Sequence, residues 1–338
     1  MKIVLTALGH EVPSEKIDNS FFESLNIGTT EDWIVQRTGI KSRHSVLSKK
    51  IIKAIYEGEL TSLDLMKDQQ IPTIADLSFG PWQQIIQQKQ QSHSSLPIGC
   101  GALICGTSVP DFDIPANASM IAHHLGIPTT FCLDVNTACS SFVSNLCVAK
   151  ALLDSKQQKS ISIFNVERYS LKLDYRDRSS CVLFGDGSTA CFVEMGDNLK
   201  GLHLLDIMVK TDPLGSQQVK VPYGGLFYQN GRAVQKFAIH STCAMTEAII
   251  KKNQLKIGDI RYFIGHQANL RMLQSAVKKI GFTEEQHLYN VHKYGNQGAA
   301  GAPSVLFENW KNFQPGDYIV LTVVGAGLTW GSALFRWL

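Results

Sequence analysis

Short apolar runs rich in β-branched residues alternate along the chain with longer stretches whose apolar positions recur every three or four residues. Residues 1–9, 101–105, 131–135, 160–166, 182–184, 262–265 and 318–324 read as strands; 116–125, 142–153, 238–252, 268–280 and 303–313 read as helices. Strands separated by helices imply an α/β protein with a parallel or mixed sheet. The stretches CVLFGDGSTACFVE (181–194) and IVLTVVGAGLTWGSALFRW (319–337) share one plan: an apolar run, a Gly-x-Gly turn among small residues, and a second apolar run. This is a weak internal repeat, two related halves meeting near 195–205, and it divides the chain into 1–198 and 199–338. Residues 45–75, with Lys49, Lys50 and Lys53, then Glu57, Glu59 and a polar KDQQ, read as an insertion rather than as core.

Composition narrows the class. With 338 residues, 44% of them hydrophobic and 18% charged, the chain is long enough for one large or two medium globular domains. It has no apolar run of membrane-spanning length, so no membrane role is expected. The first segment carries one charge and a short apolar run, a strand rather than a leader, which makes the cytoplasm the default expectation. Net charge is +3, and no dense Lys/Arg block is interleaved with aromatics, so nucleic acid is not an expected partner. Lys41, Arg43, Lys49, Lys50 and Lys53 make at most a modest basic cluster, a solvated face or a landing place for a small acidic protein. The eight cysteines sit mostly inside apolar segments and none falls in a CxxC pair, which favours reduced, packed thiols over a disulfide framework or a zinc site.

Three junctions carry candidate chemistry. In DVNTACSSF (134–142), Cys139 stands among small residues where a strand gives way to a helix, and the unpaired N–H groups of a helix start favour a thiolate. The following helix places Phe142, Leu146, Ala149 and Leu153 on one apolar face. In YFIGHQANLRMLQSAVKKIG (262–281), His266 follows a strand and precedes a helix with Leu273, Ala276, Val277 and Ile280 on its inner face; a helix N-terminus disfavours imidazolium. In HKYGNQGAAGAPS, Asn296 lies in a Gly/Ala-rich turn that could present an amide and backbone N–H groups to a carbonyl oxygen. A cysteine nucleophile with His and Asn donors suits thioester acyl transfer. Papain-like proteases use the same residue types in the same order, at separations close to the 127 and 157 residues found here, but their C-G-[SA]-C-[WY] signature is missing.

Taken together, TTEDWIVQRTGIKSRH, DVNTACSSF, DRSSCVLFGDGSTA, GHQANLRML, YGNQGAAGAPS and GAGLTWGSALFRW, in that order, resemble the β-ketoacyl-acyl-carrier-protein synthase III family of the thiolase superfamily, over nearly the whole chain. The resemblance implies a thiolase-like fold: two similar halves stacked as five layers, α-β-α-β-α, with Cys139 at the start of a buried central helix. It implies a homodimer in which the loop SVPDFDIPAN reaches the partner's acyl pocket, with Ile114 where a phenylalanine is usual. By the same resemblance Cys139 takes an acyl group from acyl-CoA, a substrate rather than a resident cofactor. His266 and Asn296 then stabilise the enolate formed as malonyl-acyl-carrier protein loses CO2. The backbone N–H groups of Cys139 and Ala326 form the oxyanion hole. Trp33 and Arg178 sandwich the adenine of coenzyme A, with Thr29 and Arg37 beside them and Asn269 on the pantetheine arm. Arg271 docks the acidic carrier protein.

Departures from the family pattern concern the substrate: the 45–75 segment, Asn296-Gln297-Gly298 in place of Asn-Thr-Ser, and Val324 where an aromatic is common. They leave open a specialised homologue using longer or unusual acyl units, as in resorcinol-type or biotin-precursor synthesis. A non-catalytic partner of another ketosynthase is a third reading, opposed by the presence of Cys139, His266 and Asn296 together.

Overall fold

The computed structural model describes residues 1–61, 64–65, 71–92, 101–128 and 130–338. Its main sheet contains β1 (Lys2–Glu11), β2 (Ala102–Gly106), β3 (Phe131–Asp134), β4 (Ser160–Glu167), β5 (Gly187–Gly196), β6 (Leu202–Thr211), β7 (Ile260–Gly265), β8 (His287–Leu288), β9 (Tyr318–Gly325) and β10 (Thr329–Trp337). Their spatial order is β8-β7-β9-β10-β6-β1-β5-β4-β2-β3. Reading outward from the middle, each side runs antiparallel, antiparallel, parallel, parallel, so the two halves repeat one topology. They meet at β1 and β6, which share only the pairs Val4↔His203 and Leu5↔Leu202.

Helices complete five layers. The middle layer is α5 (Ser141–Asp154) with α8 (Gly301–Asn309); Phe142, Leu146, Leu153, Val305 and Leu306 are buried there between inward residues of both halves, among them Ile104, Ile163, Leu321 and Phe335. Burying each such side chain stabilises the fold by roughly 1.5–3 kcal/mol. One outer layer, α3 (Ile74–Gln91) and α4 (Asn117–His124), covers Leu103, Phe164, Ala190 and Phe192. The other, α6 (Gly231–Lys252) and α7 (Leu270–Ile280), covers Phe263, Val320 and Leu334. Strand alternation sorts the residues: Ile319, Leu321 and Val323 face the middle while Val320 faces out. A register shift between Leu5 and Ala7 lets Leu5 and Leu8 both face the middle and turns Ala7 outward.

The α/β class, the thiolase-like layering and most element positions agree with the sequence reading, which missed the central strand β6; four further details differ. Residues 182–184 form turns with a single Phe184–Asn296 bridge, because their carbonyls are taken elsewhere: Arg43 donates to Val182 O and the Asn296 N–H to Leu183 O. Helix α6 begins seven residues earlier than expected, capped by Asn230. The third is α3, absent from the sequence reading because of its glutamines and its internal Pro81. Those glutamines bind strand backbone: Gln88 exchanges two hydrogen bonds with Leu8 and Gln84 two with His10, along the part of β1 that β6 does not pair. Gly9 makes the approach possible, since a Cβ there would sit 2.1 Å from Pro81 O.

The fourth correction is the 45–75 segment. Leu47, Ile52, Leu65 and Ile71 are buried with Ile17, Phe22, Ile34, Tyr169 and Phe184, so its described residues contribute to a core rather than lying outside one. Helix α2 (Lys49–Glu57) turns Ile52 inward and pairs Lys49 with Asp18 and Lys53 with Glu57. The basic cluster dissolves as well. Arg43 is 2% exposed, donates to Asn19 Oδ1 at 2.7 Å and lies over the Phe22 ring.

Candidate active site

The cavity of interest, about 370 Å³, opens at Trp33, Arg37, Arg178 and Asn269 and ends at Cys139, His266 and Asn296. Three chain segments converge at its floor. Cys139 stands in a 3-10 turn, Ala138–Ser140, between β3 and α5, and Ala138 adopts φ of 49° to make that turn. Ser140 Oγ donates to Thr137 O at 2.7 Å, and the Thr137 N–H donates to Ser141 Oγ at 2.9 Å, which clamps the turn on both sides of the thiol.

Cys139 stands at a helix start, in a turn that runs directly into α5. The sulfur sits in the 3-10 turn ahead of α5, and burial pushes its pKa up to about 12, with the charge of Glu167 adding to the rise. Hydrogen bonds from Tyr169, the Cys139 N–H and Asn296 pull the other way without overcoming it. Tyr169 Oη lies 3.8 Å from Cys139 Sγ.

Asn296 is fixed from both ends. Its backbone N–H donates to Leu183 O and its carbonyl accepts from Gly185, while Oδ1 accepts from the Gly298 N–H at 3.0 Å. With the oxygen so engaged, the amide N–H groups are the end facing the sulfur. Gly298 has no room for a side chain: a Cβ would meet Glu167 Oε1 at 2.6 Å and Tyr169 Cε2 at 2.7 Å. The glycine that departs from the family pattern is thus matched to those two neighbours.

His266 follows β7, but α7 starts only at Leu270, so the helix end is not what keeps it neutral. Burial lowers its pKa to about 4, and its Nδ1 is among the buried polar atoms that have no partner within the described structure. The imidazole is neutral at pH 7 and can donate only through the one nitrogen that carries its proton. Ala326, the second oxyanion position, begins the turn Ala326–Leu328 between β9 and β10 and lines the same cavity. It is held against the nucleophile turn by Gly325, where a Cβ would stand 2.3 Å from Thr137 O and 2.7 Å from Ser140 N.

At the mouth, the Arg178 guanidinium lies over Trp33, 4.9 Å from the ring centroid. A base entering between them has to part the pair. Helix α1 (Glu31–Thr38), which carries Trp33 and Arg37, is tied to the His266 segment: Asn269 Nδ2 donates to Arg37 O, and Arg271 donates to Val35 O and Gln36 O. Asn269 also caps α7, its Oδ1 accepting from the Arg271 and Met272 N–H groups. Arg271 is exposed, yet much of its guanidinium is committed to this tie and to Gln274. Thr29 is buried with its hydroxyl unpartnered and is not among the cavity-lining residues. Ile114 stands apart from the cavity, 85% exposed, near Phe112 at 45%.

Sequence reasoning overlooked the wall behind the sulfur. Tyr169 stacks on Phe184 at 4.4 Å, and Phe227 meets Phe184 edge-on at 4.7 Å, an aromatic floor beside Cys139. Behind Tyr169 is Glu167, fully buried, holding the Ser108 N–H, the Ser108 hydroxyl and the Ala299 N–H. The available signal was a charged glutamate closing the strand SISIFNVE, whose other residues are uncharged.

The chain matches two family models, 3-oxoacyl-[acyl-carrier-protein (ACP)] synthase III over residues 133–213 and its C-terminal counterpart over residues 250–337. A relative from Aliarcobacter butzleri, the β-ketoacyl-acyl-carrier-protein synthase III, is 32% identical, with 98% of this chain and 96% of that protein aligned. Among solved structures, the 3-oxoacyl-acyl-carrier-protein synthase III of Aquifex aeolicus VF5 superposes with a TM-score of 0.87 at 26% identity, covering 99% of this chain and all of that one. The Thermus thermophilus β-ketoacyl-acyl-carrier-protein synthase III gives 0.83 at 30% identity, covering 99% of each.

Proposed function

This chain belongs to the 3-oxoacyl-acyl-carrier-protein synthase III family, and from that premise we propose that Cys139, His266 and Asn296 carry out its decarboxylating condensation of an acyl-CoA primer with malonyl-acyl-carrier protein. The observation that carries this assignment is the convergence of one thiol, one neutral imidazole and one oriented amide at the floor of a cavity whose mouth holds a Trp–Arg pair. In the first half-reaction Cys139 attacks the thioester carbonyl, and the N–H groups of Cys139 and Ala326 receive the oxyanion. In the second, His266 and Asn296 donate to the malonyl thioester oxygen as CO2 leaves, so their hydrogen bonds strengthen as charge develops. Neutral donors suit that role because they meet the charge without adding a cation to the ground state.

Trp33, Arg37, Arg178 and Asn269, which line the cavity, bind coenzyme A in this reading, and Thr29, buried and outside that lining, is assigned to the same site by the family resemblance alone. Coenzyme A is here a substrate, and the condensation requires no resident cofactor. Arg271 offers its remaining donors to the carrier protein. The exposed apolar side chains of Phe112, Ile114 and Phe131 suit a subunit interface, and a homodimer is the proposed assembly. No described helix is long and apolar enough to cross a membrane, and the cytoplasm is the proposed location. Fatty-acid initiation is favoured over a specialised product, since the relatives at about 30% identity carry the initiating synthase's name.

The test is intact-mass spectrometry after incubation with acyl-CoAs from acetyl to dodecanoyl, with Cys139→Ala as control. A single acyl adduct on short chains, lost in the control, supports the assignment. Adducts confined to long or unusual chains move it to a specialised condensation.

A further inference from the structure

The Trp33–Arg178 pair at the cavity mouth is held from two sides. On the Trp33 side, Asn269 and Arg271 donate to carbonyls in the last turn of α1. On the Arg178 side the tie comes from the 45–75 segment. Arg176, two residues before Arg178, crosses to the C-terminal turn of α2 and donates twice to Tyr56 O, from Nε at 3.1 Å and from Nη2 at 2.9 Å. That carbonyl lies where no later N–H of the helix reaches it. The cap of α2 serves other carbonyls: the Gly58 N–H donates to Ala54 O and Ile55 O, and the Glu59 N–H to Ala54 O. A guanidinium suits the remaining position because it brings a positive charge to the negative end of the helix.

We infer that the 45–75 segment is a buttress for coenzyme A recognition: through Tyr56 O and Arg176 it sets the position of Arg178 against the adenine. Arg176 does not line the cavity, so it is a positioning residue that acts through Arg178. The inference rests on the coenzyme A reading of the mouth given above. It also places the segment's effect on the nucleotide end of the substrate rather than on the acyl chain.

The loop itself shows why a single tie matters. Its turns close on themselves: the Arg176 N–H donates to Asp174 Oδ1 at 2.9 Å, the Ser179 N–H to Asp177 Oδ1 at 2.9 Å, and Ser180 Oγ to Asp177 Oδ2 at 2.7 Å. Tyr175 anchors the inner side, buried, with its hydroxyl donating to Ser170 O at 3.0 Å. Arg178 and Ser179 stand outside that anchor and are exposed. Without Arg176 the outward part of the loop is free to swing with Arg178, and an entering base has to order it at a cost to binding. The carbonyl that prevents this is offered by a packed helix. Ile51, Ile55 and Tyr56 pack, as Trp33 does, against the cluster that contains Tyr169 and Phe184.

The experiment measures condensation, with malonyl-acyl-carrier protein saturating, from acetyl-CoA and from acetyl-pantetheine, which keeps the thioester and the arm but lacks the adenine nucleotide. The proteins are the wild type, Arg176→Ala, Arg176→Lys, Arg178→Ala and the double variant Arg176→Ala/Arg178→Ala. Arg176→Ala is expected to raise the KM for acetyl-CoA by about fivefold, with the loss in KM rather than kcat and with the KM for acetyl-pantetheine at its wild-type value. Arg176→Lys, which can still give one hydrogen bond to Tyr56 O, should recover part of that loss. The double variant should bind acetyl-CoA no more weakly than Arg178→Ala alone, as expected of two residues acting in series. A KM raised equally for both donors overturns the inference, because Arg176 then acts through the fold at large. Single-variant losses that multiply in the double variant overturn it too, because Arg176 then acts independently of Arg178. If Arg178→Ala shows the loss and Arg176→Ala does not, the coenzyme A reading stands and the buttress falls. If Arg178→Ala leaves the KM for acetyl-CoA unchanged, the reading of the mouth falls and the inference with it.

Discussion

At the scale of single residues, environment decides the chemistry more than sequence position does. The thiol of Cys139 and the imidazole of His266 were both legible in the sequence; Cys139 does stand at the helix start it was referred to, whereas His266 lies ahead of α7 and burial is what lowers its pKa. Desolvation depends on what surrounds a group in space, which residue spacing does not encode. Cys139→Ser is expected to leave no acyl adduct with any acyl-CoA, because an alcohol is a far poorer nucleophile at neutral pH; a stoichiometric adduct by intact mass would refute the assignment. His266→Ala is expected to retain acylation while CO2 release from malonyl-acyl-carrier protein falls by about a hundredfold. Since the His266 pKa lies near 4, its neutral donor persists upward from that value. The wild-type condensation rate therefore should not show a His266 limb near the usual 6.5, a point that a pH profile of kcat checks.

Between elements, glycines and side-chain caps hold the site at working distance. Gly325 lets the Ala326 turn press against the Cys139 turn, so Gly325→Ala is expected to destabilise by about 1–3 kcal/mol in urea unfolding and to suppress acylation. Asn269→Ala removes the α7 cap, about 1 kcal/mol, and with it the link to Arg37. The expected signature is a KM for acyl-CoA raised several-fold with the fold intact. Strand and helix positions in the middle and C-terminal layers were legible because their apolar periods match their faces, as with Leu273, Ala276, Val277 and Ile280. Helix α3 was not, because Gln84 and Gln88 serve as hydrogen-bonding partners for β1, a role that hydropathy scores as surface. Arg43 and the 45–75 segment misled for the same reason: polarity was taken for exposure.

For the whole molecule, buried titratable groups set the acid limit. His10, His266 and His287 each have pKa values lowered to about 4 by burial, so between about 6.5 and 4 the unfolded chain binds protons that the native state refuses. Stability is lost as pH falls through that window. Glu167 and Asp186, raised to about 7 and 6, act oppositely, since the native state holds their protons while the unfolded chain does not. Three lowered histidines outnumber two raised carboxylates, so urea midpoints are expected to fall from pH 6.5 to 4.5, and Glu167→Gln should steepen that fall; an unchanged slope would show that Glu167 is ionised throughout. The narrow seam between β1 and β6, two residue pairs wide, has a different bearing. Because α5 and α8 are gripped by both halves, neither piece of a chain divided at the 197–201 turn could shield its inner sheet face alone. A cut there made after folding should leave an active, non-covalently joined protein, whereas either fragment produced by itself should precipitate: the molecule is doubled in topology but indivisible in synthesis.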